Sequence, residues 1–202
     1  MTSERHHKPA TPGAAFFEGI ESGTDPLVLG EAADRAATLL VRGAHDSDDE
    51  GVAERVLRLA ETEGLETLAE LWSGSPADSL AGSLWRLYLL RAWVHTDPVG
   101  AAREFDAGQS TAQVARVVAG VADPPGPDEL RRMVDEVLRG IAEREYADVL
   151  LRAAAFARVV AAGRAALPHP PDGPSTTDTA RMLTLAEQLE HAGHLELRAA
   201  LA

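Results

Sequence analysis

Three times the chain sets a capping side chain directly before a proline: Asp25-Pro26, Ser75-Pro76 and Asp97-Pro98. Asp and Ser oxygens accept from the unpaired amides of a first helical turn. Proline suits the first helical position because its missing N–H would have no partner there. Ser47-x-x-Glu50, Ser75-x-x-Asp78 and Ser110-x-x-Gln113 match or nearly match the capping-box pattern, and Pro127-Asp128-Glu129 is another start. Punctuation of this kind divides a chain into successive helices.

The residues between these marks agree with it. There are 37 Ala and 25 Leu against 2 Ile, and aromatics make up 4%. Ala and Leu favour helices, whereas β-branched and aromatic residues favour strands. Helices are expected near 26–42, 49–62, 65–73, 77–95, 98–107, 111–120, 127–140, 143–164 and 178–192, with a short one near 194–201. The expected fold is a single compact all-α domain of about nine helices.

Most of these segments are amphipathic. Leu29, Ala32, Ala33, Ala36 and Leu40 recur at the helical period, as do Val52, Val56, Leu59 and Ala60. Two segments are apolar on most faces. Residues 77–95 carry one stripe of Leu80, Leu84, Leu87, Leu90 and Val94 and a second of Trp85, Leu89, Ala92 and Trp93. Residues 143–164 carry Val149, Leu150, Leu151, Phe156, Val159 and Val160 among alanines. Both are expected at the centre of the fold, their arginines snorkelling or pairing with acids, with Arg91 and Arg152 the candidates for buried pairs. Residues 85–108 place Trp85, Ala101 and Phe105 at tetratricopeptide offsets. Leu89 stands where a small residue is needed and no second copy follows, so the segment reads as an ordinary hairpin.

Four regions follow. Residues 1–24 read as a mobile tail in which Phe16, Phe17 and Ile20 could dock on the body. Residues 25–167 form the domain. Residues 168–175 (Pro-His-Pro-Pro-Asp-Gly-Pro-Ser) are a stiff linker, and 176–202 a C-terminal helical element able to pack on its own body or on a second copy.

Charge and residue usage exclude several chemistries. With no cysteine there is no disulfide, thiolate metal site or cysteine nucleophile. Lys8 is the sole lysine, and it has neither a phosphate-loop nor a Schiff-base context; the arginine bias reads as bacterial coding. The net charge of −13 disfavours nucleic acid and anionic membranes. Residues 25–109 hold seven bases and sixteen acids, whereas 110–167 hold eight of each. The polar start and the arginines within both apolar segments point to a cytoplasmic protein with no membrane contact.

Candidate sites are few. Glu187, His191 and His194 recur at i, i+4 and i+7, a spacing that could hold a transition metal on one helix face. Gly193 lies between the histidines and reads as a helix C-cap. Asp46 to Gly51 begins like a calcium loop, but its twelfth position is Leu57. His45 lies in that acidic loop, and His95 with Asp97 and Trp93 could form a polar pocket corner. Residues 111–121 resemble the start of a helix-turn-helix, with Arg131, Arg132 and Arg139 in support. Against it, Asp128 and Glu129 head the helix that would read DNA. No motif for a nucleophile, a phosphate loop or a dinucleotide is present. The expectation is a non-catalytic protein-interaction or regulatory module, with no cofactor and a protein partner or self-association. The alternatives are a DNA-binding regulator reading through 111–140 and a metal- or small-molecule-binding protein.

Overall fold

The computed structural model describes residues 26–42, 65–111, 124–138, 145–168 and 176–201. They form seven helices: α1 (Pro26–Arg42), α2 (Leu65–Trp72), α3 (Leu80–Thr96), α4 (Pro98–Thr111), α5 (Pro127–Leu138), α6 (Tyr146–Ala166) and α7 (Thr176–Leu197). There is no strand among the described residues. The fold is all-α as expected, with seven helices rather than about nine. The expected helices 49–62 and, beyond Thr111, 111–120 lie outside the described residues, and the expected short helix near 194–201 is merged into α7.

That merger corrects the reading of Gly193. It ends no helix; it is buried inside α7, where a Cβ would come within 2.9 Å of Leu151. The glycine permits close approach of α7 to α6. α7 ends later, where Ala199 takes φ 52° and the amide of Ala200 donates to the Leu195 carbonyl at 2.9 Å. The Ala199 amide donates to the Glu196 carbonyl at 2.8 Å, completing a Schellman cap without glycine.

The caps act locally. Asp97 ends α3 by donating its amide to the Trp93 carbonyl at 3.0 Å, then starts α4 by accepting from the Gly100 amide at 2.9 Å. Ser75-Pro76, by contrast, does not open α3. Pro76 to Ser79 closes a single turn, and Ser79 is the cap, accepting from Gly82 at 3.1 Å.

α6 is central and is buried on most faces from Tyr146 to Arg164. It packs most extensively on α7 and α4, and also touches α5 and α3. α4 approaches closely because Gly108 faces the Val159 carbonyl and Gly163 faces the Glu104 carbonyl. α3 is less enclosed than expected. Leu80, Leu84, Leu87, Leu90 and Val94 are buried, but Trp85 is half-buried and Leu89 is 40% exposed. Trp85 and Leu89 of the second stripe face a gap beside α7 instead of a covering helix, whereas Trp93 packs on Phe156.

Ion pairs tie the helices together. Arg91 pairs with Asp135 and Arg152 with Glu129 (2.6 Å), each across to α5, so both candidate arginines find acids, but the pairs are half-buried rather than buried, Glu129 being 39% exposed. Arg158 pairs with Glu190, and Arg42 with Glu196, joining α7 to α6 and α1. α7 therefore packs on its own chain through Met182, Ala186, Leu189 and Ala192. Among the described residues, no helix is long and apolar enough to cross a membrane.

Candidate binding trough between α3 and α7

The gap beside α3 is an open trough of about 520 Å3. Trp85 and Leu89 of α3 and Met182 and Leu185 of α7 supply apolar lining, and Arg86, Arg164 and Arg181 supply the cations. It exists because the two faces of α3 meet different neighbours. One face is sealed against the core, while the other meets α7 through Arg86, whose Nε donates to Gln188 Oε1 at 2.6 Å.

The three arginines differ in how far their charge is answered. Arg164 is nearly buried and gives Nε and a terminal nitrogen to one oxygen of Glu104, at 2.9 and 2.8 Å. Its other terminal nitrogen donates to the Asp178 carbonyl at 3.3 Å, and its plane lies 5.3 Å from the Trp93 ring centroid. Arg181 is exposed and reaches Asp178 at 3.5 Å. Arg86 has only neutral partners among the described residues: Gln188, and the Gly82 carbonyl at 2.7 Å. Burial lowers the Arg86 pKa, with Asp78 opposing through space. Arg86 is thus a half-buried cation at the edge of an apolar trough, without a carboxylate in ion-pair contact among the described residues.

The residues singled out in the sequence lie elsewhere. Glu187, His191 and His194 share the outer face of one continuous helix, and all three are exposed. Among the described residues no group of three or more His, Asp or Glu is placed to hold a metal ion. His95, Asp97 and Trp93 do not converge. His95 is exposed, its pKa lowered by partial desolvation and then by Arg91 and Arg131, while Asp97 is engaged as a cap. Trp93 packs inward on Phe156, with ring centroids 6.4 Å apart. The acidic loop Asp46–Gly51, His45 and Arg139 lie outside the described residues, as do Phe16, Phe17 and Ile20. On α5, Leu130, Met133, Val134, Val137 and Leu138 face the core, and Arg131 reaches Asp128 at 3.3 Å.

Sequence reasoning took the Trp85–Leu89 stripe for core. The available signal was Arg86 lying between the two apolar stripes; the gap itself depends on where α7 docks, which local periodicity does not carry. No family model, curated protein or solved structure matches the chain.

Proposed function

We propose that this chain is a non-catalytic protein-interaction module, and that the α3–α7 trough receives a short apolar segment carrying acidic residues. The observation that carries this reading is Arg86. Its guanidinium lies beside the apolar surface of Trp85 and Leu89 with only neutral hydrogen-bond partners among the described residues, and a carboxylate arriving with an apolar segment would supply a charge partner. Arg181 at the rim adds a second cation. Both stand out on a chain of net charge −13.

A fluorescent amphipathic peptide with Leu at i, i+3, i+4 and i+7 and Glu flanks is the test, beside its Lys-flanked twin. The Glu-flanked peptide is expected to bind about tenfold tighter, the equivalent of ~1.4 kcal/mol. Leu89→Glu and Arg86→Gln should each weaken it. Equal affinity for the two peptides, or no effect of Leu89→Glu, would overturn the reading.

A further inference from the structure

We propose that the trough's partner is a second copy of this chain. The two copies meet face to face about a two-fold axis along α3, and α2 of each delivers Glu66 and Glu70 to the Arg86–Arg181 edge of the other. The inference rests on the reading of the trough given above and names its acidic, apolar partner.

The exposed stripe of α3 has flanks of opposite charge. Trp85 and Leu89 are its centre, with Leu89 40% exposed and the Tyr88 ring stacked on Trp85 at 5.8 Å between centroids. Arg86 and Tyr88 stand two residues apart, which turns them about 160° from each other, one on each side of that centre. Arg86 points to α7, where Gln188 accepts its hydrogen bond. Three arginines and one acid, Asp178, line that flank; Glu104 answers Arg164, which leaves Arg86 and Arg181 against Asp178. Tyr88 lies toward α2, which also packs on α3. The carboxylates of Glu66 and Glu70 are exposed there and add to the rise that burial gives the Tyr88 pKa. Arg91 acts on Tyr88 in the opposite sense, but it is paired with Asp135.

Symmetry decides what the flanks meet. A two-fold axis along α3 keeps the helix direction and exchanges the flanks, so each acidic flank faces the other copy's cationic flank. An axis across α3 would reverse the helix and set acid against acid. The register agrees, because Tyr88 lies about 3 Å beyond Arg86 along the helix. Carboxylates gathered around Tyr88 therefore arrive at the level of the other copy's Arg86. The apolar centres then cover each other, as the matching patches of a two-fold interface must.

Sedimentation equilibrium of the full chain is the test. A monomer–dimer equilibrium is expected. Glu66→Arg/Glu70→Arg should weaken it about tenfold, and Arg181→Glu, on an exposed side chain, about fivefold. An equimolar mixture of these two variants should recover most of the lost affinity, because a mixed dimer has one native and one exchanged set of charges. A chain that stays monomeric at every concentration overturns the proposal. So does a dimer that either reversal leaves unchanged or strengthens, since acid would then not face cation.

Peptide binding separates this proposal from the one beneath it. The Glu-flanked peptide should dissociate the dimer. A chain that binds the peptide without dimerising, or a dimer that binds the peptide without dissociating, overturns self-pairing through the trough and leaves the trough reading standing. A monomer that binds no peptide sinks both.

Discussion

Two nitrogens of Arg164 converge on a single oxygen of Glu104, at 2.9 and 2.8 Å, and both side chains are at most 10% exposed. They are held sixty residues apart in sequence by α6 and α4. Losing one partner leaves the other charge in a site from which water is nearly excluded, a situation that costs about 3–5 kcal/mol. Arg164→Met is therefore expected to destabilise the fold by roughly 3 kcal/mol. The double variant Arg164→Met/Glu104→Leu should recover most of that loss, because no unpaired charge remains. Urea titration of the two single variants and the double variant measures the coupling. Additive losses would show that the pair does not act as a unit.

Gly163 and Gly30 make opposite predictions from the same substitution. Alanine is the better helix former by about 1 kcal/mol, so an unobstructed helical glycine gains from the change. Gly30 lies exposed on α1 with nothing within 4 Å of its would-be Cβ. A Cβ on Gly163 would lie 1.7 Å from the Glu104 carbonyl oxygen, which is backbone and cannot rotate aside. Gly30→Ala should raise the melting temperature slightly. Gly163→Ala should cost about 1–3 kcal/mol as α4 is pushed off α6. Thermal melts of the two variants check this; upward shifts in both would contradict the close approach.

Which parts of the fold the sequence disclosed depends on how local their cause is. Asp97-Pro98 is legible because cap, proline and first turn are consecutive, and the bond to Gly100 spans three residues. The buried stripe from Leu80 to Val94 is legible because one helix carries its own period. Arg91 and Arg152 could be identified as charges in need of partners, but their partners Asp135 and Glu129 lie on another helix, and no local pattern specifies which acid arrives. Gly193 was misread because a C-cap glycine and a close-approach glycine leave the same mark in a sequence. The trough was hidden for a related reason. Leu89 is as apolar as Leu90, and whether anything covers it depends on where α7 docks, which the pattern of α3 does not carry.

The end of α7 offers a gain. Ala199 holds φ 52°, a region costing a residue with a Cβ roughly 1–2 kcal/mol, in a cap position that usually carries glycine. The cap bonds from Ala199 and Ala200 are backbone bonds and survive a change of side chain. Ala199→Gly is expected to stabilise the protein by about 1 kcal/mol, net of glycine's greater freedom when unfolded. Denaturant titration should show a higher midpoint with an unchanged slope. Ala200→Gly next to it should give no such gain.

Tyr146 predicts the response to alkaline pH. Its hydroxyl is buried and lies 2.8 Å from Ser83 Oγ, whose own proton goes to the Leu80 carbonyl at 2.7 Å, so Tyr146 is the donor. Burial pushes its pKa well above the ordinary tyrosine value, and Glu196 adds to the rise. The folded state thus keeps a proton that the unfolded chain loses above about pH 10. Stability is fully present below that pH and falls as pH rises, by about 1.4 kcal/mol per unit while only the unfolded state has ionised. The background is small, because the chain has one lysine, no cysteine and one other tyrosine, Tyr88, whose pKa is also raised, while the lowered pKa of Arg86 acts in the opposite sense and is common to both proteins. Tyr146→Phe leaves Ser83 bonded to Leu80 and should cost about 1 kcal/mol at neutral pH. Between pH 10 and 12, at which Tyr88 still contributes, the variant should lose most of the unaltered protein's pH dependence. Equal slopes for the two proteins in urea titrations across that range would show that Tyr146 does not hold its proton in the fold.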